Sequence, residues 1–267
     1  MRHLLDSDPY VCAVLAARLD AAAGVSARRL GGDLVGGQDA DLPGALGVAC
    51  FSGGHVLPVG GRDDSWQALG HYLGERRRSC ISIIARAEAI ETLWPVVARY
   101  WGPARLIRSN QPLLALAHGG ALRADPEVRA AGAGDLDGYL QASLAMFAEE
   151  LKLPEFGGQA RSSYRARLAE LIAVGRAFVR TDRRGRLVFK AEIGAVSRHT
   201  CQVQGVWVRP DMRGRGVATA ALAAVLAHGL NLAPTVSLYV NDFNLPARAV
   251  YQRLGMSQVA TLATVMF

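Results

Sequence analysis

Hydrophobic and polar positions fall into two similar series along this chain, parted by the glycine- and proline-broken stretch HGGALRADPE at 118–127. In the second series, 125–134 holds a short strand, Asp135 is placed to cap a helix reaching 151, and Ser162 or Ser163 starts another reaching 174. Strands are expected over 177–181, 187–196 and 200–209, with turns at 182–185 and 197–199. Residues 217–227 (VATAALAAVLA) are apolar all round, which suits a helix buried against a sheet. The β-branched and aromatic run 235–240 reads as a strand. A helix follows it, with Asn244 as N-cap, Pro246 in the first turn and Gly255 at its end. Ala247, Val250, Tyr251 and Leu254 keep the i, i+3, i+4, i+7 spacing, so Tyr251 lies on the buried face.

The first series has the same order. Residues 4–23 are helical in pattern with a restart at Ser7 or Asp8 before Pro9, while Gly31-Gly32 and Gly36-Gly37 mark loops. A hairpin over 45–51 and 55–59 leads to a helix at 64–77, a strand at 79–85, a helix at 87–100 and a strand at 104–109. Hairpin, helix, strand, helix, strand repeats the order of the second half.

The densest chemical signal is QGVWVRPDMRGRGVA at 204–218, a strand running into a glycine-rich, doubly basic turn and then a helix. Such a junction aims successive backbone N–H groups and a helix N-terminus at one anion. Gly214 and Gly216 supply the permissive backbone, and Arg213 and Arg215 the forked donors suited to phosphate.

Arg213-x-x-Gly216-x-Ala218 is similar to the pyrophosphate-binding signature of the GNAT superfamily of acyl-CoA-dependent N-acyltransferases. A second element stands at the right distance: Asn241, Asn244, Ala247-Arg248, Tyr251 and Gly255-Met256 resemble the family's Asn…Asn…Ala-Arg…Tyr…Gly-Phe segment, with Met256 where an aromatic is usual. The resemblance covers about 126–267 and implies an α/β (α+β) fold, a mixed, mostly antiparallel sheet flanked by helices. It divides the chain into a degenerate GNAT-like unit at 1–122, structural or substrate-shaping, and a catalytic unit at 123–267. Where the first unit would need a cradle stands Val59-Gly60-Gly61-Arg62-Asp63-Asp64, whose carboxylates repel phosphate and suit a helix N-terminus.

The resemblance also implies the reaction. Acetyl-CoA, the cosubstrate, would be held by Val206, Trp207, Val208, Arg213, Gly214, Arg215, Gly216, Val217, Ala218, Asn241, Asn244, Ala247 and Tyr251, and an amine of a small molecule or protein would attack it directly through a tetrahedral intermediate. Tyr251 would protonate the departing thiolate. The position that often carries a glutamate base in the family is Gln202 here, which leaves Glu192, His199 or a water route through Gln202 and Gln204. Glu149 and Glu150, unfavourable at a helix C-terminus, are candidate anchors for the acceptor, together with Gln202 and Gln204. The missing base keeps a second reading open, an acyl-CoA sensor without turnover.

Composition narrows the partners. The chain has 267 residues, 51% hydrophobic, enough for two domains, and no apolar run long enough to span a bilayer. Its four cysteines are scattered, the six histidines show no ligand pairing, and the N-terminus lacks a signal-peptide core, so a cytoplasmic protein without metal or membrane is expected. Of the net charge of +7, six units lie from residue 123 onward. No basic block is interleaved with aromatics, and the phosphates of CoA account for the excess better than nucleic acid. Monomer and homodimer are both compatible with the sequence.

Overall fold

The first apolar stretch folds as two helices, α1 (Arg2–Ser7) and α2 (Ala13–Ala22), broken at the turn that contains Pro9. The computed structural model describes residues 1–22, 30–39, 44–117, 123–151 and 157–267. Then come β1 (Asp33–Gln38), β2 (Leu46–Ser52), β3 (His55–Gly60), α3 (Asp63–Gly74), β4 (Ser82–Arg86), α4 (Ala87–Trp101) and β5 (Leu106–Leu116). The second half contributes β6 (Arg129–Ala130), α5 (Leu136–Leu151), α6 (Gly158–Ala173), β7 (Ala177–Thr181), β8 (Leu187–Val196), β9 (Thr200–Val208), α7 (Val217–Leu232), β10 (Thr235–Tyr239), α8 (Leu245–Arg253) and β11 (Ser257–Met266). The expected mixed, mostly antiparallel sheet flanked by helices is present, and the second half has the anticipated β-α-α-β-β-β-α-β-α-β order.

All eleven strands join one sheet in the order β1-β2-β3-β4-β11-β5-β10-β9-β8-β7-β6. The two halves exchange their last strands: β11 lies between β4 and β5, and β5 reaches across to pair with β10. Apart from the added edge strand β6, the pairing pattern is palindromic about the antiparallel β5–β11 pair. Outward on either side come an antiparallel pair (β4–β11, β5–β10), a parallel pair (β3–β4, β9–β10) and two antiparallel pairs (β2–β3 and β1–β2, β8–β9 and β7–β8).

Alternating side chains divide between the two faces, as period-two patterning requires. Val48 and Cys50 pack with α3 and α4, whereas Ala49 and Phe51 pack with α1 and α2. In the second half, Ala191 and Ile193 join Leu222, Val225 and Leu226 of α7, while α5 and α6 close the other face around Tyr139, Leu168 and Ile172. Helix α7 lies so close to the sheet that a Cβ on Gly229 would come within 2.8 Å of Cys201 Sγ and Val236 Cγ2.

Some local expectations are corrected. Gly36 and Gly37 lie within strand β1, where a Cβ would crowd Leu46 (2.7 Å) and Val48 (3.0 Å) on β2; close approach, not a loop, accounts for them. Helix α6 starts at Gly158, ahead of the serines, because Ser162 turns its hydroxyl back to the Gly158 carbonyl inside the helix (3.0 Å). Strand β5 runs on past Ser109 to Leu116, since it gains β10 as a second partner there. Of the expected linker, 118–122 lie outside the described residues, as does Lys152.

Candidate active site

The turn between β9 and α7 is built to leave amides free. After Val208 a single 3-10 turn (Pro210–Met212) leads to Arg213, then Gly214 (φ 72°) and Gly216 (φ 77°), both in the left-handed region that only glycine enters without strain. Gly216 is the N-cap of the 16-residue α7, with no side-chain cap. Backbone N–H groups of residues 214–219 meet no acceptor among the described residues, and a Cβ at Gly214 or Gly216 would find nothing within 4 Å. Arg215 and Gly216 are exposed, and Val217 and Ala218 form the half-buried first turn. Six amide donors without an acceptor among the described residues, at the positive end of a helix, suit an anion.

Beside this turn the strands part. Strands β9 and β10 pair only through Thr235–Thr200, Val236–Cys201 and Ser237–Gln202, after which β9 continues to Val208 without β10. A bulge sits at this point: the register on β8 passes from Glu192–Gln204 to Lys190–Trp207, with Gly205 at φ 61°. Val206 lies in the bulge, half-buried against the α7 side, and Trp207 packs on Ala142 and Met146 of α5.

Helix α8 closes the open end. Asn244 caps it, its Oδ1 accepting from the Ala247 N–H at 3.3 Å. Asn241 is held from the other half, accepting at Oδ1 from Gln111 Nε2 of β5 (3.0 Å), and Gln111 in turn accepts from Thr264 of β11 (2.6 Å). Tyr251 is 7% exposed, and its hydroxyl has no hydrogen-bond partner among the described residues. Burial and then the negative charge of Glu150 push its pKa well above the usual phenol value, and the same two causes raise Tyr239.

The acidic end of α5 divides its labour. Glu149 accepts from Arg213 Nη2 (2.8 and 3.1 Å) and faces Trp207 Nε1 (3.4 Å), while Arg213 Nε donates to the Val208 carbonyl (2.9 Å). Glu149, expected on the acceptor side, is thus a strut between α5 and the cradle, and Arg213 is engaged by it. Glu150 is exposed as a residue, yet the protein packed around its carboxyl raises its pKa; Arg108 and Lys190 oppose that shift and Glu149 adds to it. Its carbonyl accepts from Arg108 Nη2 of β5 at 3.1 Å.

Below the bulge is a buried polar layer. Glu192, 2% exposed, accepts from Lys190 Nζ (3.2 Å) and Gln204 Nε2 (3.1 Å), so both its oxygens are taken. Burial lowers the Lys190 pKa, and Glu192 resists that. Gln202 is buried in the paired part of β9, opposite Ala195 and Ser237. His199, at the closed end of the strand pair, is bound through Nε2 to Asp6 Oδ1 of α1 (2.9 Å), which removes it from the cleft.

Lys190, Gln111, Tyr239 and Arg108 were not singled out in the sequence. Lys190 had a signal, being one of two lysines in the chain and two residues from Glu192 in an apolar strand. Arg108 and Gln111 had none, because the strand exchange that delivers them is not local.

The strand pair thus splays beside an open, amide-lined turn suited to an anion. Residues 145–256 match the acetyltransferase (GNAT) family, and residues 32–139 match a domain of unknown function, DUF4081. The chain therefore carries a GNAT-family domain in its C-terminal half behind an N-terminal DUF4081 domain. Among solved structures it is similar to a GCN5-related N-acetyltransferase from Sphaerobacter thermophilus (17% identity, 96% of this chain and 91% of that one, TM-score 0.58). It is similar also to an acetyltransferase of the GNAT family from Colwellia psychrerythraea (13%, 88% and 85%, 0.56) and a GCN5-related N-acetyltransferase from Kribbella flavida (15%, 95% and 95%, 0.52). At these identities the likeness is one of fold, and it spans both halves. No curated protein matches the chain.

Proposed function

We propose that the protein is an N-acetyltransferase that moves an acetyl group from acetyl-CoA to an amine of a small molecule or protein. The observation that carries this reading is the set of amides at 214–219 that meet no acceptor among the described residues, around two glycines that leave the turn open. These amides and the N-terminus of α7 would take the pyrophosphate, with Arg215 and the Arg213–Glu149 strut beside them. Bound acetyl-CoA supplies an activated thioester. The chain supplies Tyr251, a phenol that is protonated at neutral pH, as the group that gives its proton to the departing sulfur. Glu192 supports the cleft from below by holding Lys190 and Gln204.

The palindromic pairing supports two GNAT-like units, of which only the second keeps a cradle. No helix among the described residues is long and apolar enough to cross a membrane. The test is CoA release from acetyl-CoA across a panel of polyamine, amino-sugar and lysine-peptide acceptors. Tyr251→Phe should slow turnover about 10²- to 10⁴-fold while CoA binding is kept. Tight binding with no turnover on any amine would point instead to a sensor.

A further inference from the structure

Three features meet at the last turn of α5: a buried tyrosine without a hydroxyl partner, a carboxylate that acts on it, and an arginine from the other half of the chain. Tyr251 lies in the core of the second half with its hydroxyl unpartnered among the described residues, and the Glu150 charge bears on it and on Tyr239. Arg108 belongs to β5, the strand that the first half inserts into the second. Its Nη2 donates to the Glu150 carbonyl (3.1 Å), its guanidinium lies over the Phe243 ring (4.6 Å), and its Nε is buried with no acceptor among the described residues. A cation on the terminal carbonyl of a helix is stabilising, and here it offsets two adjacent carboxylates.

We propose that Arg108 is a positioning residue: it holds the end of α5 so that the Glu150 carboxylate faces the Tyr251 hydroxyl, where Glu150 takes the proton of the incoming ammonium. This rests on the transferase reading above. The acceptor nitrogen loses two protons as the C–N bond forms and the C–S bond breaks. One passes to Glu150 and out to solvent, and the other replaces the proton that Tyr251 gives to sulfur. Glu192 is less suited to the first step, since it is buried and both its oxygens are engaged. The charged and titratable groups close enough to act electrostatically with Glu150 are Glu149 on its own helix, Arg108 on β5, Lys190 on β8, Tyr239 on β10 and Tyr251 on α8. The first half is then a working part of the acceptor side, not only a support.

The test uses the full chain with Arg108→Met, Arg108→Lys and Glu150→Gln. Without substrate, a carboxyl 13C titration, with Glu150 assigned by its loss in Glu150→Gln, should show the Glu150 midpoint rising in Arg108→Met and returning toward wild type in Arg108→Lys. With acetyl-CoA and the best amine of the panel, Glu150→Gln should lower kcat about 10²-fold or more. Arg108→Met should lower it about tenfold and move the acid limb of the pH profile upward, with CoA affinity kept. An unmoved midpoint in Arg108→Met, or Glu150→Gln turning over like wild type, overturns the inference. The titration shift in Arg108→Met, together with a wild-type chain that acetylates nothing, would uphold the Arg108–Glu150 placement and remove the transferase reading instead.

Discussion

The two halves place a glycine turn at the same point of the fold, after β3 and after β9, and treat it in opposite ways. In the second half, Gly214 and Gly216 face open space and the amides of 214–219 meet no acceptor among the described residues. In the first, a Cβ on Gly60 would strike Leu4 of α1, and one on Gly61 would sit 2.5 Å from Trp66 Nε1. Two of its amides and one of its carbonyls are used as well. Gly61 N–H donates to the Gly47 carbonyl (2.8 Å), Arg62 N–H to Ser65 Oγ (2.8 Å), and Trp66 Nε1 to the Gly60 carbonyl (2.8 Å). Strands β3 and β4 splay after only two pairs, as β9 and β10 do after three, so the cleft persists in outline while its contents differ. The difference teaches that a phosphate cradle needs more than its backbone shape. The donors must be left unsatisfied, and an apolar core that grows over them converts the turn into packing.

The most severe way to break the comparison is to separate the halves. Residues 123–267 expressed alone would deprive β11 of both neighbours and β10 of β5, so no cooperative thermal transition is expected by circular dichroism. A folded fragment that binds CoA would contradict the exchanged-strand account. Next comes the buried charge that strand β8 has and β2 lacks. Lys190→Met leaves Glu192 unpaired in the interior, and denaturant unfolding should show a loss of about 3–5 kcal/mol.

The glycines sharpen the comparison directly, since all four have positive φ and carry a similar intrinsic strain. Gly61→Ala should cost about 2–4 kcal/mol, strain plus the clash with Trp66, and leave CoA affinity unchanged. Gly216→Ala should cost only about 1–2 kcal/mol, while Gly216→Val weakens CoA binding at least tenfold by calorimetry. Equal effects of Gly61 and Gly216 changes on CoA binding would erase the distinction.

The smallest effect is electrostatic. Because the folded state raises the Glu150 pKa, it binds that proton more tightly than the unfolded chain, so this group's contribution to stability declines as pH rises through the unfolded value of about 4.3 toward the folded one. Glu150→Gln should therefore raise Tm relative to wild type at pH 8 and do so less, or not at all, at pH 4. A constant difference across that range would mean that burial at Glu150 is not sensed.

Much of this was legible in the residues, because it is local. Alternation located the strands of both hairpins, the Asn244 cap and the i, i+3, i+4, i+7 stripe located α8 and the buried face of Tyr251, and the glycine spacing located the open turn before α7. What was not legible depends on partners distant in sequence. Gly36-Gly37 look like a loop until Leu46 and Val48 lie across them, and the use of Glu149 and Glu150 is set by Arg213 and Arg108, one 64 and the other 42 residues away. His199 has a suitable side chain for a base, but Asp6, 193 residues off, holds it at the wrong end of the strand.

The central claim is that the turn at 214–219 holds the pyrophosphate of coenzyme A and the filled turn at 60–66 holds nothing. A crystal structure of the full chain grown with acetyl-CoA tests it most directly. The account predicts density for the pyrophosphate on the amides of 214–219, with the sulfur end in the splay between β9 and β10 beside Tyr251. An empty turn at saturating acetyl-CoA, or the nucleotide seated at Gly60-Gly61 or elsewhere, would contradict it.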